Sequence, residues 1–149
     1  MNESKFCREV KESLLALYPN SKFFKVHGGL YQTPGLGDLI GCINGKYIEI
    51  ETKVIKHLPR RGDAVAIPND LFTPNQVYSL NKTYKAGGIA MALVLIDTLK
   101  IIYRVYLRYL NSPISKNFLI KFIEENHSFI IKRTPDSPIK WENFRGKIF

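Results

Sequence analysis

Three charged residues are spaced so that they could act together on one substrate. Asp38 follows a glycine-containing stretch and precedes the apolar segment "LIGCI", while Glu51 and Lys53 lie two residues apart on the next apolar segment. Side chains two residues apart on a strand point to the same face. If the two segments fold beside each other, they bring two carboxylates and an ammonium together.

Two carboxylates and a lysine predict a site for magnesium and for phosphate chemistry. Asp38 and Glu51 offer the oxygen ligands that Mg²⁺ usually takes from proteins, with waters completing its shell. The Lys53 side chain can position an attacking water or, as the neutral amine, deprotonate it, and its ammonium form can offset charge on a pentavalent phosphate. Two alternatives stay open: a solvated strand face with no role, and a structural ion pair of glutamate and lysine.

A third carboxylate, Glu49, occupies the same predicted strand face. Burying an uncompensated carboxylate is costly, and like charges on one face repel each other. Glu49 is expected either to assist a second ion or to be a solvated bystander. It is not expected to replace Glu51, because Glu51 has the two-residue spacing to Lys53.

The predicted elements around these residues form an α/β domain with a mixed sheet. Asn44-Gly45 is the strongest hairpin signal in the chain, so the strand beginning at Asp38 should fold back onto the strand 46–55. Thr73 and Pro74 suit the start of a helix that Gly87 and Gly88 end. The other expected elements are a helix at 3–17, strands at 22–29, 89–96, 99–110 and 128–133, and a helix at 114–126.

Composition limits the class of protein. The 149 residues suit one domain, and 45% hydrophobic residues are enough for a core. The net charge of +9 and the pI near 9.6 are typical of a nucleic-acid binder, with solubility charge as the alternative. No apolar run approaches a membrane span, and the N-terminus lacks a signal peptide's apolar centre. A soluble, cytoplasmic protein is therefore expected, with no membrane partner.

Several other chemistries have no support in the sequence. The phosphate-binding GxxxxGK[ST] loop, the GxSxG elbow and the CxxC pair do not occur, and the three histidines lack metal-ligand spacing. Cys7 and Cys42 make neither a disulfide framework nor a zinc site, and both are expected to be small core residues.

The motif resembles a known family. Asp38, followed thirteen residues later by Glu51-Thr52-Lys53, is similar to the signature of PD-(D/E)XK nucleases. The leading helix, the phrase "KVHGGLYQTPGLGDLIG" and the "TPNQ…AGGIAMALVLI" unit resemble the phage-type and VRR-NUC branch. Archaeal Holliday junction resolvases share the same core, and intron-encoded homing endonucleases also fit the resemblance. One departure is Gly37, where the family usually has proline, and this is expected to loosen the loop.

The resemblance implies a fold and an activity. It covers roughly residues 3–97 and implies a restriction-endonuclease-like core, a mixed β-sheet flanked by helices. Residues 98–149 would elaborate a single nuclease domain spanning 1–149. The implied activity is Mg²⁺-dependent endonucleolytic hydrolysis of DNA, with Mn²⁺ able to substitute. A site-specific homing or phage-type enzyme is expected; the alternatives are a Holliday junction resolvase and a non-cleaving DNA-binding protein.

The resemblance also assigns roles to residues. Asp38, Glu51 and the carbonyl of Thr52 would hold the metal ion, and Lys53 would orient or activate water. Gln76 matches a helix glutamine that supports the water, the lysine or the phosphate; its alternative is an exposed first-turn residue.

The family also places an acid on its first helix. Glu3 is favoured over Glu9 and Glu12, because only Glu3 shares the helix face of Phe6 and Val10. Its alternative is a first-turn glutamate that stabilises the helix dipole.

Residues outside the motif are candidates for contact with double-stranded DNA. Lys25 and His27 lie on the predicted strand before the glycine loop, near enough to contact the phosphate of the substrate. For His27, a structural role is equally open. In the basic connection 54–72, Lys56 is expected to contact phosphate and Arg60 and Arg61 to read bases, with a solvated tether as the alternative. Cutting both strands requires two active sites, so a homodimer or higher homo-oligomer is expected.

Overall fold

The fold is built from two helices and eight strands in the part of the chain that the structure describes. This computed structural model describes residues 1–26, 35–57, 60–61, 64–65, 71–98, 101–105, 107 and 130–132. Its elements are α1 (Glu3–Leu17), β1 (Lys22–Lys25), β2 (Leu39–Ile43), β3 (Lys46–Ile55), β4 (Arg60–Arg61), β5 (Ala64–Val65), α2 (Pro74–Lys85), β6 (Ile89–Ile96), β7 (Ile101–Val105) and β8 (Ile130–Lys132).

Six of the strands form one mixed sheet in the order β1-β2-β3-β6-β7-β8. β3 and β6 are parallel, and the other neighbours are antiparallel. Parallel neighbours need a crossover, and α2 supplies it between β3 and β6. The predicted α/β fold with a mixed sheet flanked by helices is therefore confirmed.

The Asn44-Gly45 turn sets the register on which the site depends. Both residues have positive φ, 51° and 76°, as two-residue hairpin turns require. β2 and β3 pair from Ile43 opposite Lys46 to Leu39 opposite Ile50. Asp38 immediately precedes the last of these pairs, so it lies beside the part of β3 that carries Glu51.

The two helices cover opposite faces of the sheet. The buried face of α1, including Phe6 and Val10, packs with Ile48, Ile50 and Leu93. Leu80 of α2 belongs to a second cluster, with Ala90, Ala92, Val94 and Ile96 of β6. Every residue of β6 from Ala90 to Ile96 is buried, as its continuous apolar sequence predicts.

The helix starts follow the capping rules. The Asn2 side chain accepts the backbone N–H of Lys5 at 2.8 Å, which caps α1. At α2, Thr73 accepts the Gln76 N–H at 3.3 Å and the Gln76 side chain accepts the Thr73 N–H at 2.9 Å. This capping box holds Gln76 in one orientation at the first turn of α2.

Some predictions differ from the structure, and others concern residues outside the described ranges. The strand predicted at 22–29 is found over Lys22–Lys25, and 27–34 lie outside the described residues. The helix predicted at 114–126 also lies outside them, and the single domain 1–149 stays a prediction. Cys7 is buried as expected, but the expectation for Cys42 is wrong. Its exposed side chain lies on the sheet face opposite Leu39 and Ile43, beside the exposed Lys22 and Tyr47.

The basic connection contains a short hairpin in its described part. β4 and β5 pair with Arg60 opposite Val65 and Arg61 opposite Ala64. Both arginines, whose backbone alone is described, therefore lie on the first strand of this hairpin. In the described part of the chain, neither helix is long and apolar enough to span a membrane.

Candidate active site

Asp38 is attached to β3 through two hydrogen bonds. Its Oδ2 accepts the backbone N–H and the hydroxyl of Thr52, each at 2.8 Å. Its own backbone carbonyl accepts the N–H of Val26 at 2.8 Å. The carboxylate is thus bonded to the strand that carries Glu51, and the Asp38 backbone is bonded to the residue that follows β1.

Glu51 is a buried carboxylate with one oxygen bonded and one oxygen unbonded. Its side chain is 1% exposed. Oε1 accepts from Gln76 Nε2 at 2.6 Å and lies 3.1 Å from Lys53 Nζ, whereas buried Oε2 has no hydrogen-bond partner. Buried polar atoms nearly always have a partner, so this oxygen calls for a ligand that protein groups do not supply.

The environment of Glu51 disfavours its charged form when no cation is bound. Burial raises its pKa from 4.5 to about 7, and the negative charge of Asp38 adds to the shift. The ammonium of Lys53 lowers the pKa in part. A cation between Asp38 and Glu51 would remove the repulsion that contributes to this shift.

Lys53 lies between two acids. Its Nζ is 3.1 Å from Glu51 Oε1 and 4.0 Å from Oε2 of Glu3 on α1. The Lys53 side chain is 13% exposed, whereas that of Glu3 is 50% exposed. The first turn of α1 thus places the carboxylate of Glu3 beside Lys53.

Gln76 joins α2 to the strand that carries Glu51. Its Oε1 accepts the Thr73 N–H, and its Nε2 donates to Glu51. The amide orientation is therefore set from both ends. Gln76 contacts the carboxylate of Glu51, so the alternative of an uninvolved first-turn residue does not describe it.

The donor set suits a hard divalent cation. Amide N–H and carbonyl of one strand residue point to the same neighbouring strand. Because the Thr52 N–H points at Asp38, its carbonyl faces the same side. Two carboxylates, one of them with an unbonded oxygen, and a backbone carbonyl are ligands that Mg²⁺ accepts together with waters. Within the described residues, no three His, Cys, Asp or Glu side chains form a group that could hold a metal.

Glu49 is buried and hydrogen-bonded through both oxygens, so the expectation of a solvated bystander is wrong, whereas a role with a second ion stays a prediction. It is 1% exposed, and its two oxygens accept three hydrogen bonds. Gly37 N–H and Ser79 Oγ donate to Oε1 at 2.8 and 2.6 Å, and Thr83 Oγ1 donates to Oε2. The reason is that α2 covers this part of the sheet face.

Ser79 and Thr83 were not among the predicted site residues. They follow Gln76 by three and seven positions, so all three lie on one face of α2. That spacing is a sequence signal that could have found them. With this spacing, one face of α2 presents hydrogen-bond donors to Glu49 and Glu51 of β3.

The predicted DNA-contacting residues are placed in part. Lys25 Nζ donates to the Ser4 carbonyl at 3.3 Å and to the Ser4 hydroxyl, at the start of α1. Lys56 is exposed just after β3. His27 lies outside the described residues, and Arg60 and Arg61 are described in their backbone alone.

Several solved structures are similar to this chain. One of them is the 1.6 Å resolution structure of Hjc, a Holliday junction resolvase from Archaeoglobus fulgidus, an archaeal hyperthermophile. The two are 15% identical, the match covers 75% of this chain and 89% of that chain, and the TM-score is 0.48. No family model matches the sequence, and no curated protein matches it.

Proposed function

We propose that this chain is a divalent-metal-dependent endodeoxyribonuclease of the PD-(D/E)XK type, which hydrolyses phosphodiester bonds. The observation that carries the proposal is the state of Glu51. It is buried, held through Oε1 by Gln76 and Lys53, and has an unpartnered Oε2, and the negative charge of Asp38 adds to the rise in its pKa. A carboxylate that binds protein groups alone would have both oxygens hydrogen-bonded to them, as those of Glu49 are.

The proposed ligands are Asp38, Glu51 and the carbonyl of Thr52, with Mg²⁺ as the ion and Mn²⁺ as its substitute. When bound, such an ion offsets charge on the phosphate and lowers the pKa of water. Lys53 orients the attacking water and faces the negative charge on the phosphate oxygens in the transition state. Gln76 keeps Glu51 in place, and Glu3 holds the ammonium of Lys53 from the side of α1.

The proposed partner is double-stranded DNA. The net charge of +9 favours binding to its phosphates. Lys56 directly follows the strand that carries Glu51 and Lys53, so it leaves from the rim of the site. We assign Lys25, His27 and Lys56 to phosphate contact, and Arg60 and Arg61 on the β4-β5 hairpin to base contact.

The type of DNA and the assembly are part of the proposal. The enzyme acts on a specific duplex site or, alternatively, on a branched DNA junction. The Archaeoglobus fulgidus protein is named as a resolvase of such junctions. In either case a homodimer or higher homo-oligomer supplies one active site for each strand.

The test uses supercoiled plasmid, a random linear duplex and an immobile four-way junction, each incubated with Mg²⁺, Mn²⁺ or EDTA. The account expects nicked or cut product with either metal and none with EDTA. Preference for the junction over the linear duplex identifies the resolvase alternative, and discrete plasmid fragments identify a site-specific enzyme. Tight binding with no cleavage of any substrate would instead identify the non-cleaving DNA-binding protein.

A further inference from the structure

Glu49 connects three elements beside the proposed site. Its donors are the amide of Gly37 in the segment before β2 and the hydroxyls of Ser79 and Thr83 on α2. Gly37 is the residue before Asp38, and α2 is the helix that carries Gln76. One buried side chain on β3 therefore reaches both the segment that leads into one proposed ligand and the helix that holds the other.

The segment at Gly37 is packed too closely for a side chain. A Cβ at Gly37 would lie 2.7 Å from Glu49 Cγ and 2.9 Å from the carbonyl oxygen of Ile50. Gly35 has a φ of +81°, and a Cβ there would lie 2.4 Å from the backbone of Asn75 on α2. Glycine at both positions lets the backbone lie directly against β3 and the first turn of α2.

The missing proline at position 37 has a physical explanation in this arrangement. Proline has no N–H and could not donate to Glu49. The expectation that Gly37 loosens the segment is therefore wrong, because the Gly37 amide is bonded and the residue is buried. In this chain a hydrogen bond to a buried carboxylate restrains the backbone where a proline ring would otherwise do so.

We propose that Glu49 is a positioning residue: through Gly37 it holds Asp38, and through Ser79 and Thr83 it holds the helix that places Gln76 on Glu51. This inference rests on the proposed function for its effect on cleavage. Its structural part stands without that function, because Asp38 accepts the Thr52 N–H whether or not the chain cleaves DNA. The Thr52 amide therefore reports on the position of Asp38.

The experiment compares Glu49→Ala with Glu49→Gln, and uses Glu12→Ala, an exposed glutamate on α1, as the control for lost charge. The first readout is the ratio of two hydrogen-exchange rates, that of the Thr52 amide divided by that of the Leu93 amide in buried β6. It is measured in protein without metal or DNA. We expect Glu49→Ala to raise this ratio by about tenfold or more, because Asp38 moves locally. Glu49→Gln still accepts the Gly37 N–H and should keep the ratio near that of the wild type.

The second readout is cleavage. For Glu49→Ala the account expects kcat to fall by about tenfold or more while the KM for DNA changes by less than about twofold, since no DNA contact is removed. Glu49→Gln should restore most of kcat, and Glu12→Ala should change neither constant. A parallel loss of kcat and protein stability with an unchanged Thr52 ratio would show a merely structural role and overturn the proposal.

A third variant isolates the bond itself. Glycolic acid in place of Gly37 turns the amide into an ester, which removes the N–H and adds no side chain. It leaves Glu49, Ser79 and Thr83 in place, so it carries the test if Glu49→Ala does not fold. We expect the same rise in the Thr52 ratio, and an unchanged ratio would overturn the proposal. A raised ratio in a protein that cleaves no DNA would support the Glu49 contact and reject the proposed function alone.

Discussion

Gln76 Nε2 donates to Glu51 Oε1 at 2.6 Å, and this bond joins the crossover helix α2 to the central strand β3. The other end of the same amide closes the capping box with Thr73. One side chain thus starts the helix and orients the buried carboxylate. Its removal should affect both the helix and the site.

We expect Gln76→Ala to lower the cleavage rate by about tenfold or more, equivalent to about 1.4 kcal/mol of transition-state stabilisation. The Thr73 N–H also loses its partner, which should reduce the free energy of unfolding by about 1 kcal/mol. Asn75→Ala, an exposed amide next to it, is the control. The measurements are single-turnover cleavage and urea unfolding; equal rates for the two variants would remove Gln76 from the site.

The raised pKa of Glu51 predicts a pH-dependent stability of the metal-free protein. Its pKa is about 7 in the folded chain and 4.5 ordinarily, so the folded state binds the extra proton between these values. Stability should therefore decrease as the pH rises from 4.5 to 7, by about 3 kcal/mol for this group. Above pH 7 the folded protein carries the full free-energy cost of a charged, buried Glu51.

Urea unfolding of the wild type and Glu51→Gln across this pH range tests the prediction. The difference between the two proteins isolates Glu51, because the other groups titrate in both. Glu51→Gln should be the more stable at pH 8, and Ca²⁺ should restore stability to the wild type there but not to the variant. If the two proteins show parallel pH profiles and Ca²⁺ stabilises neither, the folded protein does not disfavour the charged form of Glu51.

The acid on α1 gives a comparison among three glutamates. Glu3 Oε2 lies 4.0 Å from Lys53 Nζ and is half exposed, so its contribution is that of a partly solvated ion pair. Glu3→Gln should lower the cleavage rate by roughly two- to fivefold. At high salt the substitution should no longer change the rate, because salt screens the ion pair. Glu9→Gln and Glu12→Gln should stay near the wild type in the same cleavage assay. A loss confined to Glu9 would place a different face of α1 at the site.

The basic connection should separate phosphate contact from base contact. Lys56→Ala should weaken binding to all sequences alike and lower the salt slope by about one. Arg60→Ala or Arg61→Ala should cost roughly 1–3 kcal/mol on the preferred DNA and relax the preference.

Salt-dependent affinities on preferred and random duplexes measure both effects. Lys46→Ala, at the opposite end of β3, is the control. Unchanged affinity of the double mutant Arg60→Ala/Arg61→Ala on both DNAs would leave the β4-β5 hairpin without a role in recognition.

Local sequence signals predicted the parts of the fold and site that depend on neighbouring residues. The Asn44-Gly45 turn sets the β2-β3 register, and the capping residues Thr73 and Pro74 begin α2 where expected. The two-residue spacing of Glu51 and Lys53 brings their charged atoms to 3.1 Å because strand side chains alternate. Helical phase favoured Glu3 among the acids of α1, and its carboxylate lies 4.0 Å from Lys53 Nζ.

The sequence could not predict the burial of Glu49, because an alternating strand pattern does not say which helix covers the face. That depends on the crossover of α2, whose Ser79 and Thr83 supply the donors. Cys42 shows the converse: its apolar neighbours suggested burial, yet its side chain lies on the part of the sheet beside exposed Lys22 and Tyr47. Coverage of a sheet face is a tertiary property that strand periodicity does not contain.

The most direct test of the central claim is single-turnover cleavage of plasmid by Asp38→Asn, Glu51→Gln and Lys53→Ala, purified in parallel with the wild type. Mn²⁺ titration calorimetry and DNA affinity are measured on the same samples. The account predicts no cleavage by any variant, loss of metal binding in the first two alone, and DNA affinity equal to or tighter than that of the wild type in those two, because each removes a negative charge near phosphate. A near wild-type rate for Asp38→Asn or Glu51→Gln would contradict the account, as would full recovery of Lys53→Ala at high metal concentration.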